Sequence, residues 1–368
     1  MNATRTALTS CVAALLALAF FGTARAADHW RASAKEADFI ARDFAFASGE
    51  TLAELKLHYT TLGKPKRDKD GNIANAVMIL HGTGGTGQQF FRPQFADILF
   101  KKGGLLDPAK YYIILPDNIG HGKSSKPSDG LRARFPNYGY HDMVALQHRL
   151  LTEGLGVDRL KLLMGTSMGC MHAFMWGETY PDFVEAMVPL ACQPVEIAGR
   201  NRMWRKMTID AIRNDPDWKG GDYEAQPKEA LRTVASLLLI AGGSAIPLQE
   251  EYPTREAVDP MVETRIAQYV DTMDANDWLY QVSASRDYDP APDLEKITAR
   301  VLWINSADDF INPPELGIAE REAARLKNGR YVLIPASKDT KGHGTHTWAA
   351  LWEGELRDLL RDAAPAKN

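Results

Sequence analysis

Short apolar segments alternate with amphipathic segments along most of the chain. The apolar segments are bounded by Gly, Pro, Asn or Asp, which is typical of strands buried on both faces of a parallel sheet. The predicted strands are 53–60, 76–80, 111–115, 160–164, 186–190, 300–304 and 330–334. The predicted helices are 89–102, 140–154, 168–180, 314–326 and 347–362. This alternation predicts an α/β fold with a mostly parallel, doubly wound sheet.

The interval 195–295 departs from this alternation, because it contains helical patterns and no clear strand pattern. We interpret it as a helical cap, inserted between late strands, that covers the active-site end of the sheet. Helices packed away from the site are the alternative. The α/β core is therefore predicted in two parts, 27–194 and 296–368.

The N-terminus has the layout of a secretory signal. Arg5 precedes an apolar run from Ala7 to Phe21, and Ala24-Arg25-Ala26 supplies small residues at the cleavage site. The run is too short to cross a bilayer comfortably, although an uncleaved anchor is the alternative. We therefore expect a signal peptide over residues 1–26, cleavage near Ala26, and a periplasmic or secreted protein without a stable membrane anchor.

The net charge of the mature chain argues against a nucleic-acid partner. Cleavage leaves 41 basic and 47 acidic residues, a net charge of −6, which gives no basic surface for nucleic acid.

After cleavage, only two cysteines remain, Cys170 and Cys192, which are too few for a disulfide framework. We expect two buried free thiols, with a bond between them as the alternative.

The strongest motif for chemistry is Gly165-Thr166-Ser167-Met168-Gly169. A lone GxSxG is a weak signal, but here it follows the buried-strand pattern LKLLM and precedes the helical pattern MHAFMWGETY. Strand, tight turn and helix are what a nucleophile elbow requires, and the glycines leave room for the neighbouring backbone. The motif predicts Ser167 as a nucleophile at a helix N-terminus.

A glycine-rich loop, Leu80-His81-Gly82-Thr83-Gly84-Gly85, stands directly after the predicted strand 76–80. In this type of fold the loop supplies one amide of the oxyanion hole, and the residue after the nucleophile supplies the other. The amides of Thr83 and Met168 are therefore the predicted donors to a tetrahedral oxyanion.

A serine hydroxyl needs a base, and the expected chain order is Ser, then an acid, then His. Two acids, Asp308 and Asp309, follow the predicted strand 300–304. We favour Asp309 for its spacing to the following proline, and expect the other acid to be a solvated loop residue or a helix cap. Of the two histidines after the last strand, we favour His343 over His346 as the base.

Two other motifs do not support a cofactor or a metal. Gly122-Lys123-Ser124 resembles the end of a phosphate-binding loop, but the glycine needed five positions earlier is Asp117. The close pair His343 and His346 lacks the HExxH pattern of a zinc site. We expect no metal and no cofactor.

Taken together, these motifs resemble the homoserine O-acetyltransferase branch of the α/β-hydrolase superfamily. The likeness runs from about Phe44 to the C-terminus. The matching segments are LHYTTLG, NAVMILHGTGG, LPDNIGHGKSS, FPNYGYHDMVALQHRLL, LLMGTSMGCMHAFMWGETYPD, NDPDWKGGDY and DDFINPP. The resemblance implies a Ser167–Asp309–His343 triad, a ping-pong mechanism through an acyl-serine, a helical lid over a tunnel, and a homodimer formed through the lid.

The chain departs from the family pattern at several positions. The family usually has a glycine where Cys170 stands and an aspartate where Gly344 stands. The arginine that holds the homoserine carboxylate is not assigned, with Arg202 and Arg205 the neighbours of the expected stretch.

Three functions follow from these observations. We favour an exported serine hydrolase acting on an ester, thioester or lactone. Acetyl-CoA is a cytoplasmic metabolite, so an exported acetyltransferase would lack its acyl donor. An acyltransferase of the homoserine O-acetyltransferase type is the alternative, and a non-catalytic binding protein on the same fold is a third possibility. Trp204, Trp218 and Trp278 either line an apolar acyl pocket or form the core of the cap.

Overall fold

The computed structural model describes residues 30–361, so the predicted signal peptide and its cleavage site lie outside the described residues. An 8-stranded sheet has the order β1-β2-β4-β3-β5-β6-β7-β8. The strands are β1 Lys35–Ala45, β2 Thr51–Leu62, β3 Ala76–Leu80, β4 Tyr112–Pro116, β5 Leu162–Thr166, β6 Ala186–Leu190, β7 Arg300–Ser306 and β8 Gly329–Ile334. β2 pairs antiparallel with β1 and β4, and the remaining neighbours are parallel. The predicted fold class is confirmed.

Helices cover both faces of the sheet. They are α1 Pro93–Leu99, α2 Tyr140–Arg149, α3 Met168–Thr179, α4 Gly199–Arg213, α5 Lys228–Gly242, α6 Ala245–Glu251, α7 Arg255–Thr272, α8 Ala275–Ser283, α9 Ile318–Ala323 and α10 Glu353–Arg361. Successive β3 side chains point to opposite faces. Met78 packs in one hydrophobic cluster with Phe174 of α3, and Val77 in the other with Phe95 of α1. The sheet is therefore doubly wound.

Strand β1 has no counterpart among the predicted strands. Only Ala41 and Phe44 of its eleven residues are buried, because the strand lies at the edge of the sheet. An edge strand with so little burial gives only a weak hydrophobic pattern. The central strands β3 to β6 are buried along their whole length, which explains their continuous apolar signal.

Helices α4 to α8 lie between β6 and β7 in the chain and form a cap with its own hydrophobic cluster. The cap packs against the loops at the carboxyl ends of the strands. A Cβ atom on Gly84 would lie 2.8 Å from the Trp278 ring, and one on Gly342 would lie 2.7 Å from Gly243 O. Trp278 of α8 and the junction of α5 and α6 thus contact the loops that carry Thr83 and His343.

Trp204 is a buried member of the cap cluster, and Trp218 and Trp278 are partly buried and pack against it, so all three belong to the cap core. Within residues 30–361 no single helix is long and apolar enough to cross a membrane. α5 and α6 meet that test only as a pair, and they are bent by 104° at their junction.

Cys170 and Cys192 form a disulfide bond, so the expectation of two free thiols was wrong. Cys170 lies in the first turn of α3, and Cys192 follows the end of β6. Because β5 and β6 are parallel neighbours, the segments beyond their carboxyl ends meet, and the two Cα atoms are 5.8 Å apart. The bond fastens the start of α3 to the adjacent strand end.

Candidate active site

The turn between β5 and α3 has the geometry of a nucleophile elbow. Ser167 has φ +54° and ψ −110°, backbone angles that a residue with a Cβ atom rarely adopts. The flanking glycines are required by space. A Cβ on Gly165 would lie 1.9 Å from Gly169 O, and one on Gly169 would lie 2.1 Å from Leu80 O. The tight turn presents the Ser167 side chain at the carboxyl end of the sheet.

The structure brings the three predicted triad side chains together. Ser167 Oγ lies 2.8 Å from His343 Nε2, and His343 Nδ1 lies 2.8 Å from Asp309 Oδ2. With the proton on Nδ1, the imidazole donates to the carboxylate and accepts from the serine hydroxyl. This is the arrangement in which a histidine can remove the proton of a nucleophilic serine.

Asp309 is buried and its carboxylate is saturated with donors. Oδ1 accepts from the amides of Ile311 at 2.8 Å and Asn312 at 3.2 Å, and Oδ2 accepts from Asn312 Nδ2 at 3.0 Å as well as from His343. Burial raises the pKa of Asp309, but His343 and these hydrogen bonds outweigh it, so the net pKa lies below the ordinary value. Asn312 was not predicted as a supporting residue, although it lies in the quoted segment DDFINPP.

The two alternative residues do not contact the nucleophile. The His346 ring is 5.4 Å from the His343 ring, its Nδ1 has no partner within residues 30–361, and burial lowers the pKa of His346 to about 3. Asp308 receives no hydrogen bond from His343. Instead of being a solvated loop acid or a helix cap, its carboxylate accepts hydrogen bonds from Ser244 and Thr340.

One predicted oxyanion donor belongs to the loop beside Ser167, and the other is the residue that follows Ser167 in the chain. Thr83 follows Gly82, and a Cβ on Gly82 would lie 3.2 Å from Ser167 Cβ. Met168 is the first residue of α3. Neither amide donates a hydrogen bond to another group in the described part of the chain, so both are available to an oxyanion.

A comparison with protein families agrees with the fold. The model of the alpha/beta hydrolase fold family matches residues 75–339 of the chain. The protein belongs to the α/β-hydrolase fold family. The matched region contains the elbow, the glycine-rich loop and the segment that carries Asp309.

Curated relatives of this α/β-hydrolase-fold protein include acyltransferases. A protein of Methanothermobacter thermautotrophicus, described as a probable acyltransferase, is 30% identical over 279 residues, which cover 76% of this chain and 84% of the relative. The homoserine O-acetyltransferase of Methanohalophilus mahii is 29% identical over 86% of this chain and 69% of its own length. The chain is therefore similar to homoserine O-acetyltransferases, as the motifs indicated.

Solved structures show the same fold. The homoserine O-acetyltransferase of Bacillus anthracis superimposes with a TM-score of 0.78 at 23% identity, covering 89% of this chain and 97% of that one. The acetyl esterase MekB superimposes with a TM-score of 0.76 at 24% identity over the same shares of the two chains. At this level of identity the likeness concerns the fold.

The α/β-hydrolase-fold chain has a cavity of about 940 Å³ between the cap and the core. Asp309 and Met171 line it, so it borders the triad on the side of the carboxylate. Its walls include apolar side chains of α5, α6, the loop after β7 and the start of α9, among them Leu239, Leu248, Phe310 and Ile318. In the described part of the chain, none of the three tryptophans considered for an acyl pocket lines this cavity.

Arg205 of α4 is a buried cation. It is 2% exposed, its Nε donates to Asn201 Oδ1 and its Nη1 donates to Ser285 Oγ, both at 3.0 Å. No carboxylate within residues 30–361 forms an ion pair with it. Burial lowers the pKa of Arg205, and the neighbouring Tyr140 hydroxyl raises it.

Arg205 is linked to the oxyanion loop by neighbouring polar groups. The Tyr140 hydroxyl lies beside both the Arg205 guanidinium and the Thr83 hydroxyl, and burial raises the pKa of Tyr140 although both neighbours lower it. The hydroxyls of Tyr140 and Thr83 are buried, and neither makes a well-oriented hydrogen bond in the described part of the chain. A buried guanidinium beside poorly paired hydroxyls is a costly arrangement that an anionic ligand would relieve.

Sequence reasoning named Arg205 only as a neighbour of the expected segment and gave it no role. Its burial depends on the packing of α4 against α5 and α8, which no local pattern shows. Within residues 30–361 no group of three or more His, Cys, Asp or Glu side chains is arranged to hold a metal ion.

Proposed function

We propose that the protein is a serine acyltransferase that moves an acyl group from an ester or thioester to the hydroxyl of a carboxylate-bearing acceptor. The observation that carries the acyl-transfer chemistry is the hydrogen-bonded chain Ser167–His343–Asp309. The names of the curated relatives support transfer to a hydroxyl, and homoserine is the first acceptor to test.

In the first half of the reaction, Ser167 Oγ attacks the donor carbonyl while His343 Nε2 takes its proton. The oxyanion is held by the amides of Thr83 and Met168. When the tetrahedral intermediate collapses, the bond to the donor's alcohol or thiol breaks, and the imidazolium returns the proton to that leaving group. Asp309 stabilises the imidazolium and keeps its orientation.

In the second half, the acceptor hydroxyl gives its proton to His343 and attacks the acyl-serine carbonyl. Collapse of this second intermediate breaks the bond to Ser167 Oγ, which takes back the proton, and releases the new ester. The carboxylate of the acceptor would bind Arg205, whose charge has no acidic partner in the described residues. Binding there would hold the acceptor beside the oxyanion loop.

Hydrolysis is the second candidate function, with water in place of the acceptor. The disulfide between Cys170 and Cys192 favours hydrolysis indirectly. Disulfides persist in oxidising compartments, which lie outside the cytoplasm and its supply of acyl-CoA. Together with the leader-like N-terminus, the disulfide supports export to the periplasm or beyond. There acyl-CoA is not supplied, so an exported enzyme would use an ester donor.

A partition experiment separates the two functions. The mature protein is incubated with 4-nitrophenyl acetate or acetyl-CoA, with and without homoserine or 4-hydroxybutyrate, and the products are quantified by mass spectrometry. A transferase forms the acetylated hydroxy acid at the expense of acetate. If acetate is the sole product at saturating acceptor, the protein is a hydrolase. Ser167→Ala is the control that removes both products.

Arg205 variants test the acceptor site. Arg205→Met should raise the KM for a carboxylate-bearing acceptor about 100-fold and leave the acyl-enzyme burst with 4-nitrophenyl acetate within about threefold. Arg202→Met, an exposed position on the same helix, is the matched control and should change neither value. An equal KM for both variants would remove Arg205 from acceptor binding.

A further inference from the structure

Asp308, which precedes the triad aspartate, holds three parts of the protein together. Its Oδ2 accepts from Ser244 Oγ at 2.5 Å, from Thr340 Oγ1 at 2.8 Å and from the Gly342 amide at 3.0 Å. Its Oδ1 accepts from Ser306 Oγ. Burial raises the pKa of Asp308, but these four donors outweigh it and the net pKa lies below the ordinary value, as expected for a carboxylate that stays ionised.

The donors come from separate elements. Ser244 belongs to the cap and stands at the junction of α5 and α6, whereas Ser306 ends β7. Thr340 and Gly342 belong to the loop that leads from β8 into His343. One carboxylate therefore joins the core sheet, the cap and the loop that carries the base.

The cap and the histidine loop also touch directly at this point. Gly342 has φ +55°, and a Cβ there would lie 2.7 Å from Gly243 O of the cap. The close approach leaves no room for a side chain at position 342. The residue after Gly342 is His343, whose ring reaches both Asp309 and Ser167.

The same junction forms part of the large cavity. Gly243, Ser244, Leu248 and Asp308 all line it, together with Asp309. A molecule in this cavity can therefore contact the carboxylate that ties the cap to the histidine loop. Asp308 therefore contacts the cap, the cavity and the loop that carries the base.

We propose that Asp308 is a positioning residue that couples the docked cap to the catalytic base, by fixing the histidine loop against Ser244. The proposal rests on the acyl-transfer function only for its kinetic readout. An asparagine at 308 would keep the shape but could not accept all four hydrogen bonds, because its amide nitrogen is a donor. Ser244→Ala removes only the hydrogen bond from the cap. It should nevertheless increase the mobility of the histidine loop, which belongs to the core.

Kinetics with 4-nitrophenyl acetate test the coupling. Asp308→Asn should lower kcat at least 10-fold with KM within about twofold, because the substrate still binds while the base is misplaced. Ser244→Ala should lower kcat about threefold, and the double variant should be no slower than Asp308→Asn, since both remove one shared contact. Ser128→Ala, which removes a different cap-to-core hydrogen bond at 2.7 Å to Asp277, should leave kcat unchanged.

Hydrogen–deuterium exchange gives a readout that needs no substrate. Exchange of the segment 337–346 should increase at least threefold in Asp308→Asn and in Ser244→Ala, and should not change in Ser128→Ala. Two results together would overturn the coupling. The exchange of this segment would be unchanged in Ser244→Ala, and the effects of Asp308→Asn and Ser244→Ala on kcat would be additive in the double variant. An inactive wild-type protein would instead refute the proposed function, and the exchange result would still decide the role of Asp308.

Discussion

Ser167 holds a backbone conformation that costs free energy in the folded state. A non-glycine residue in such a region is typically destabilised by about 1 to 3 kcal/mol, and such residues persist where the surroundings fix them. Here β5, α3 and the close packing of Gly165 and Gly169 enforce the turn. The strain is the structural cost of exposing the nucleophile.

Two substitutions at this residue separate activity from stability. Ser167→Gly should abolish turnover, with a loss of about 10⁴-fold or more, and should raise the free energy of unfolding by about 1 kcal/mol because glycine accepts positive φ. Urea unfolding and an ester assay measure the two effects. Ser167→Ala should lose the same activity without the gain in stability, and equal stability of the two variants would contradict the strain.

Buried histidines should make the fold sensitive to acid. Burial lowers the pKa of His172 and of His346 to about 3, and also lowers those of His81 and His121. In the unfolded chain these groups take up protons near pH 6.5, before the folded protein does. Their contribution to stability is therefore complete above about pH 6.5 and is lost as the pH falls towards 3.

The variant His172→Gln tests this pH dependence. Glutamine keeps an acceptor for the Gln147 amide, 3.2 Å from His172 Nδ1, but cannot be protonated. Between pH 6 and pH 4 the fall in the free energy of unfolding should become shallower by about 1.4 kcal/mol per pH unit. Urea titrations at several pH values provide the measurement, and parallel pH profiles would show that His172 is not a contributor.

At the scale of elements, buried segments were the predictable part of the fold. The central strands, the elbow after β5 and the loop after β3 have local signals, because continuous apolar runs and glycine turns come from neighbouring residues. Strand β1 has no such signal, since its stability depends on pairing with β2. The choice of His343 and Asp309 was made from spacing, whereas the roles of Arg205 and Asp308 depend on contacts across elements.

The bond between Cys170 and Cys192 illustrates the same limit. Spacing along the chain did not show that α3 and the end of β6 meet, so free thiols were expected. The bond closes a separation of 22 residues, and its loss should lower the free energy of unfolding by about 3 kcal/mol. The double variant Cys170→Ala/Cys192→Ala, compared with wild type in urea with and without dithiothreitol, measures the effect. A wild-type protein unaffected by the reductant would mean that the bond does not form.

For the whole molecule, the exposed apolar residues of the cap support the dimer that the family resemblance implies. Met203 and Met207 lie one turn apart on α4 and are 60% and 52% exposed, and Ile240 of α5 is 66% exposed. Apolar surface of this kind is typical of protein interfaces. We expect a homodimer formed through the cap.

Light scattering coupled to size-exclusion chromatography tests the dimer. Met203→Lys should shift the wild-type dimer to a monomer by placing a charge in the contact. Ile40→Lys, at a 40% exposed position on β1, is the matched control and should leave the dimer intact. A monomeric wild-type protein at micromolar concentration would refute the expectation.

Trp278, which packs against Gly84, can serve as an intrinsic fluorescence probe of the cap. Two carbon atoms of the indole would lie within 2.9 Å of a Cβ on Gly84, so a ring carried by the cap rests on the loop that holds the oxyanion donor Thr83. Lifting the cap would expose more of this half-buried indole to water and shift its emission to longer wavelength. The fluorescence difference between wild type and Trp278→Phe could therefore follow cap motion during turnover without any added label.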